Sequence, residues 1–248
     1  MKVSLITVVY NAEKYIRDCI QSVVAQTYPN IEYIVIDGGS TDLTLSILAD
    51  YEKHIAHFVS EKDKGMYDAL NKGIKAATGE VIGILNADDM LATPDVIQKI
   101  VETFQTHETE AVYGNLNYID AIQTDKIIRK WVAKPFSLQD LVYGWMPAHP
   151  TLYIKREVFE KFGNYSLNYG TAADYELMLR FLYKFKIKAT FLNKLIVNMR
   201  MGGMSNENFK QRYLALLHDY SAIKINGISF AFLTLIGKKL RKIPQFFA

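Results

Sequence analysis

The alternation of short apolar runs with helical patterns over the first 90 residues constrains this chain more than any other feature. Residues 3–9, 31–36 and 81–85 are apolar runs of strand length, and a weaker one lies near residues 55–59. Between them, apolar side chains fall at helical spacing: Ile16, Cys19, Ile20, Val23 and Val24 first, then Leu45, Ile47 and Leu48. Residues 66–77 form a third such segment, stopped by Gly79. Asn11, and then Ser40 or Thr41, are the expected caps of the first two helices. Strands alternating with helices predict an α/β protein with a doubly wound, mostly parallel sheet. Ligands of such sheets gather at the carboxyl ends of the strands. Residues that directly follow the apolar runs are therefore the candidates for chemistry.

The sharpest of these ends is VIGILNADDM at residues 81–90, a buried-strand pattern that runs into Asn86, Asp88 and Asp89. Two adjacent hard oxygen anions at a binding edge suit Mg²⁺ or Mn²⁺, ions often shared with substrate phosphates. The same residues also read as a turn before a helix, because Asp favours turns and Thr93-Pro94-Asp95 looks like a helix start. Asp37 ends the run IEYIVID and precedes Gly38-Gly39-Ser40-Thr41-Asp42. It reads either as an acceptor for a nucleobase or sugar hydroxyl, or as the anchor of a tight turn. No Gly-x-Gly-x-x-Gly or Gly-Lys-Ser/Thr loop is present, which argues against a nicotinamide-binding fingerprint and a Walker-type phosphate loop.

Beyond Pro94 the pattern changes. A helix over 96–104, strands at 111–118 and 126–132, an aromatic loop at 143–150, a strand at 151–154 and a helix at 156–162 are expected. A helix over 173–183 and two short strands follow. Asp174 opens the 173–183 helix, where a carboxylate gains from the helix dipole or serves as a general base. Glu176, two residues on, faces elsewhere. His149, between Ala148 and Pro150, either lines the same pocket or is a satisfied structural histidine.

Of the 248 residues, 50% are hydrophobic and 22% charged, an ordinary globular composition. A net charge of +3 gives no footprint for nucleic acid. Cys19 is the single cysteine, which rules out an internal disulfide, and its spacing makes it core filler. The N-terminus reads as a first strand and not a signal peptide, and no window approaches the ~20 apolar residues of a spanning helix. The expected location is the cytoplasm.

Together these residues resemble family 2 of the glycosyltransferases, nucleotide-diphospho-sugar transferases with the GT-A fold. The resemblance is carried by TVVYNAEKYI from Thr7, IVIDGGSTD from Ile34, EKDKGMYDALNKGIKAATGE from Glu61, LNADDM from Leu85, HPTLYIKREVF from His149 and AADYEL from Ala172. It covers roughly residues 3–205 in the family's order, and it is nearest to bacterial enzymes of exopolysaccharide, colanic-acid-like or O-antigen assembly. It implies that Thr7, Tyr10 and Asp37 contact the donor base and that Lys64 lies near ribose or phosphate. Asp88 and Asp89 match the metal motif, with Asp89 as the direct ligand and Mg²⁺ or Mn²⁺ as the cofactor, and Asp174 matches the catalytic base. Asn86 stands where many members carry aspartate, which lowers the negative charge of the site. Ala173 replaces an acid often found before the base, which bears on acceptor contacts.

The implied reaction is transfer, with inversion, from a UDP- or GDP-sugar to a glycan or lipid-linked acceptor. The implied organisation is a catalytic domain over residues 1–205, divided into a donor half (1–90) and an acceptor half (91–205), and a helical tail over 206–248. A sugar nucleotidyltransferase is the enzymatic rival, though Tyr10-Asn11-Ala12-Glu13-Lys14 replaces its glycine-rich basic loop. A non-catalytic sugar-nucleotide- or glycan-binding subunit of a synthase complex is the other rival. Residues 200–206, with Gly202 and Gly203, read as a mobile lid in which Arg200 supplies a cation for the diphosphate, or as a plain connector. In the tail, the apolar run 228–236 precedes Lys238, Lys239, Arg241 and Lys242. This pattern fits an interfacial segment on the inner face of the cell membrane, separable from catalysis by truncation near Gly227. It equally fits a helix packed on the domain or on a second copy in a homodimer.

Overall fold

The computed structural model describes residues 1–202 and 209–241. Strand β1 (Val3–Val9) is buried throughout. Its side chains alternate between faces, Ile6 and Val8 entering one core and Val3, Leu5 and Val9 the other. Helix α1 (Ile16–Val24) buries Ile16, Cys19, Ile20 and Val23 against the second face. Strand β2 (Ile31–Asp37) repeats the alternation, and α2 (Thr44–Ala49) adds Leu48. After β3 (His57–Ser60), helix α3 (Met66–Ala76) brings Ala69, Leu70 and Ile74 to the first face. Strand β4 (Val81–Ile84) closes the donor half.

These four strands run parallel in the order β3-β2-β1-β4, with Val9 beside Asp37, Asp37 beside Ser60 and Ile6 beside Ile84. Their carboxyl ends share one edge. The chain continues through β5 (Met90–Leu91), α4 (Val96–Thr106), β6 (Ala111–Ile119), β7 (Ile127–Trp131) and α5 (Leu138–Val142). It then forms β8 (Tyr153–Lys155), α6 (Arg156–Phe162), α7 (Ala173–Met178), β9 (Ala189–Arg200), α8 (Phe209–Ile225) and α9 (Ala231–Leu240). Beyond β4 the sheet order is β8-β6-β9-β5. Strand β8 is antiparallel to β4 and β6, β9 is parallel to β6, and β5 and β7 are antiparallel to their partners. The result is the expected mostly parallel sheet with a small antiparallel part and helices on both faces.

Several local expectations change. Asn11 caps no helix: its backbone is left-handed at φ 47°, and its side-chain oxygen accepts from Thr41 N at 2.9 Å, joining two loops of the carboxyl edge. Ser40 turns back to Asp37, and Asp42 supplies the acceptor for Thr44 N at 3.0 Å where α2 begins. The helix from Ala173 passes at Leu179 into a π-helical segment, Leu179–Lys184. The two short strands after it are one twelve-residue strand, β9, and the strand expected at 151–154 is Tyr153–Lys155 behind a 3-10 turn. Of the residues expected to form a lid, 203–206 lie outside the described residues.

Glu32 joins three segments of the donor half. Its carboxylate accepts from Lys2 Nζ (2.6 Å), Ser4 Oγ (2.5 Å), Thr78 N (2.8 Å) and Thr78 Oγ1 (2.5 Å). Burial pushes its pKa up, but these hydrogen bonds together outweigh burial and hold it down at about 2. A carboxylate whose pKa is lower folded than unfolded stabilises the fold above its unfolded value. That stability is lost as pH falls from about 4.5 through about 2. Chemical denaturation at stepped pH should show this acid loss, and Glu32→Gln should flatten it. An unchanged acid limb in the variant would place the loss elsewhere.

Candidate active site

The loops that leave the parallel strands bring most of the candidates to one edge. Tyr10 follows β1 and is 59% exposed, so its ring is free to stack. Gly38, beyond β2, sits so close to the β3–α3 loop that a Cβ there would lie 2.6 Å from Asp63 Oδ2 and 3.5 Å from the Tyr10 ring. Asp63 was not among the expected residues. The rule that selected Asp37, an acid beyond a parallel strand, also selects it. Lys64 is exposed, and its backbone N–H donates to Asp68 at 3.0 Å, holding the loop to the start of α3.

Two expected donor contacts are turned inward. The Asp37 carboxylate is fully buried and accepts from Gly39 N (3.0 Å), Ser40 N (3.0 Å), Ser40 Oγ (2.5 Å) and Ser60 Oγ (2.6 Å). It is occupied by its own loop, as the turn reading anticipated. Thr7 is also fully buried and accepts from the Tyr33 hydroxyl at 3.1 Å, so its exposed neighbour Tyr10 carries the accessible surface. Cys19 is core filler as expected, its thiol pushed up to about 12 chiefly by burial.

At the end of β4 the two aspartates part company. Asp89 is fully buried. Its Oδ2 accepts from Asn86 Nδ2 at 2.8 Å and its Oδ1 from Arg200 N at 3.2 Å. Burial first, then the neighbouring Asp88 charge, push it up to about 8. Asp88 is only half-buried, and burial also raises its pKa, opposed by its own backbone hydrogen bond and by Arg200. Asp88, not Asp89, is thus the carboxylate that meets solvent. Among the described residues no cluster of three or more acids, histidines or cysteines could hold a metal alone. Asp88 and Asp89 could hold a divalent cation only if its other ligands came from elsewhere.

Arg200 is placed differently from a lid cation. Its guanidinium is 4% exposed, lies over the Tyr15 ring at 4.9 Å, pairs with Asp18, and donates to the Asp88 carbonyl at 3.1 Å. It forms the floor beneath the aspartates. Asp18 is the partner that periodicity did not reveal, because it sits on the more exposed side of α1.

Asp174 opens α7 and accepts from Tyr175 N through Oδ1 at 2.6 Å. Tyr67 of α3 reaches this corner, donating to the Thr171 carbonyl at 3.3 Å. Burial and the Asp174 charge hold the phenols of Tyr67 and Tyr165 well above the usual range. His149 Nε2 and the Tyr165 hydroxyl are 2.6 Å apart. Burial pushes the imidazole pKa down, against the pull of Asp174. His149 is thus near enough to Asp174 to feel its charge, but its Nε2 is already engaged. Glu176 faces the other way, in a buried pair with Arg180 at 3.1 Å. The small aromatic cage around Asp174 comes from three separate segments, and no local pattern announces it.

Both tail helices pack on this half. Ala222, Ile223, Ile228 and Ala231 enter the same core as Tyr165, Tyr175 and Leu177. Lys238 pairs with Asp219 at 2.7 Å and lies 3.6 Å over the Tyr175 ring. Gly144 and Gly237 allow a backbone crossing: a Cβ on Gly237 would come within 2.3 Å of the Tyr143 carbonyl oxygen.

Comparison with known proteins follows the same lines. The family model described as Glycosyl transferase family 2 matches residues 4–175. An uncharacterised glycosyltransferase of Mycobacterium tuberculosis is 34% identical over 183 residues, 72% of this chain and 68% of that protein. A PGL/p-HBAD biosynthesis glycosyltransferase of Mycobacterium bovis is 29% identical over 86% of this chain and 83% of its own. Among solved structures, S. aureus TarS 1-349 in complex with UDP-GlcNAc superposes with a TM-score of 0.69 at 18% identity, covering 99% of this chain and 78% of that one. A mannosyltransferase from Pyrobaculum calidifontis in complex with GDP-Man and Mn²⁺ gives 0.67 at 18% identity, covering 99% and 72%. At these identities the structural likeness speaks for the fold.

Proposed function

Because the chain belongs to glycosyl transferase family 2, we propose that it moves a sugar from a UDP- or GDP-sugar to an acceptor hydroxyl with inversion. The reaction serves bacterial cell-surface polysaccharide or glycolipid assembly. One observation supports the reading above others: Tyr67, on the helix after the Lys64 loop, hydrogen-bonds to the Thr171 carbonyl, three residues before the candidate base Asp174. The nucleotide sugars named with the solved neighbours, and the PGL/p-HBAD biosynthesis named for a relative, support the substrate classes. The acceptor is a glycan or a lipid-linked hydroxyl. No helix among the described residues is long and apolar enough to cross a membrane, and the enzyme works as a cytoplasmic protein peripheral to the inner face.

On this reading Tyr10 stacks on the donor base while Asp63 and the Asp37 loop offer hydrogen bonds to base or ribose. Lys64 lies over the phosphates. Asp88 would hold Mg²⁺ or Mn²⁺, together with Asp89, whose carboxylate is fixed by Asn86 and Arg200. A bound divalent ion would neutralise diphosphate charge as the leaving group departs. The nucleoside diphosphate already leaves well, so no acid need protonate it, unlike the leaving oxygen of a glycosidase substrate. Asp174 takes the acceptor hydroxyl proton as that oxygen bonds to the anomeric carbon and the carbon–phosphate-oxygen bond breaks. A single displacement inverts the anomeric centre.

Single-turnover assays over a panel of sugar nucleotides, with product stereochemistry read by NMR, test the reaction. Retention of configuration would remove the single-displacement reading. Titration calorimetry with UDP and GDP tests the metal: affinity should fall at least tenfold in EDTA and in Asp88→Ala. Equal affinity with and without EDTA would end the metal reading.

A further inference from the structure

Helix α9 is apolar on both sides. Ala231, Thr234 and the partly buried Leu235 face the domain, yet Phe232 and Leu233 on the opposite side are 66% and 62% exposed. Ile236 and Leu240 continue that outer stripe at helical spacing, and Phe230 precedes it at 67% exposed. A helix that merely caps a domain places polar residues outward. Helix α8 presents a matching outer stripe, in which Tyr213, Leu217 and Tyr220 lead to exposed Lys224. The two stripes meet in an open groove of about 460 Å³, lined by Tyr220, Lys224, Phe230, Phe232 and Leu233.

Charge selects the occupant. Across residues 209–241 the sequence holds Lys210, Arg212, Lys224, Lys238, Lys239 and Arg241 against the lone acid Asp219. Asp219 is already paired with Lys238, while Lys224, Lys239 and Arg241 are exposed around the apolar stripe. A second copy bound across a twofold axis would bring these cations towards their own images. Anionic headgroups would neutralise them while the aromatic and aliphatic side chains enter the acyl boundary.

We propose that the joined outer faces of α8 and α9 form an interfacial docking surface for an anionic phospholipid bilayer. This deepens the peripheral-membrane reading above and rests on it. It also differs from an anchor formed by the tail as a detachable segment. The inner faces of the same helices hold α7, through Lys238 over Tyr175 and Asn226 Nδ2 donating to Glu176 at 3.4 Å. Docking therefore fixes how the Asp174 corner is presented to the bilayer.

Co-sedimentation of the full chain with vesicles of phosphatidylglycerol and phosphatidylcholine, against phosphatidylcholine alone, tests it. Binding should need the anionic lipid and weaken in high salt. Phe232→Ser with Leu233→Ser should reduce partitioning more than tenfold. Lys224→Gln with Lys239→Gln should reduce it by about fivefold per cation removed. All four side chains are exposed, so melting temperature and UDP or GDP affinity should not move. Partitioning that is absent, or unaltered by both double variants, overturns the docking surface. So does a concentration-dependent dimer abolished by the serine variant, which would make the face a self-association surface. Intact nucleotide binding and transfer to a soluble acceptor in those cases would leave the catalytic reading standing.

Discussion

Replacing Asp174 by asparagine should lower turnover by at least ~10²-fold, the lower end of what a positioned general base contributes. The substitution is close to isosteric. Its amide oxygen can still accept from Tyr175 N, which Asp174 Oδ1 does at 2.6 Å, so the start of α7 should survive. What disappears is a basic group for the acceptor proton. Donor affinity should stay within about twofold, because Tyr10, Asp63, Lys64 and Asp88 lie on other loops. Pre-steady-state kinetics at saturating donor and acceptor separate chemistry from product release. His149 is the alternative base, but its Nε2 lies 2.6 Å from the Tyr165 hydroxyl and burial lowers its basicity. Near-normal transfer by Asp174→Asn, with loss in His149→Asn, would reverse these roles.

A chain ended at Gly227 should be severely destabilised rather than merely released from membranes. From the sequence, the tail from Ile228 looked separable. Against this, Ile228 and Ala231 pack in the same buried core as Ile6, Leu70 and Tyr175. Truncation also removes Thr234 Oγ1 from the Val142 carbonyl (2.7 Å), Arg241 Nε from the Tyr143 carbonyl (3.1 Å) and Lys238 from Asp219. Emptying one large buried aliphatic site costs about 2–5 kcal/mol, against a total stability of ~5–15 kcal/mol. Losing α9 should cost at least ~5 kcal/mol, or roughly 10–20 °C in Tm for a chain of this size. Calorimetry of the full and truncated chains decides the matter. Melting within about 3 °C of the full chain would make α9 an appendage after all.

The parallel half was readable because its determinants are local. Apolar runs of five to seven residues, separated by helical spacing, leave little besides buried strands and covering helices. Strand β5 was not readable, since Met90 and Leu91 are a strand only by pairing with Asn198 and Val197. The π-helical segment after Met178 escaped for a related reason, because its 3.6-residue apolar pattern resembles that of an α-helix. At the site, residue types and the strand end could be read, but not orientation. Nothing in the order Asn86-Ala87-Asp88-Asp89 says which carboxylate turns inward. Arg200 N, brought in by β9, supplies that answer. Tyr67 and Thr171, 104 positions apart, meet only because α3 and the loop before α7 cover the same sheet face.

The way the tail enters the core sets where this enzyme could be cut and recombined. Residues 1–90 form a parallel unit whose strands pair mostly among themselves, and Val81 and Ile82 are its sheet contacts with β8. The complementary piece does not stop at β9. A hybrid that exchanged residues 91–205 alone would seat a foreign α7 against native α8 and α9, mismatching Glu176 with Asn226 and Tyr175 with Lys238. If acceptor contacts lie in the half proposed here, acceptor specificity should therefore travel between relatives only in a block that continues through Arg241.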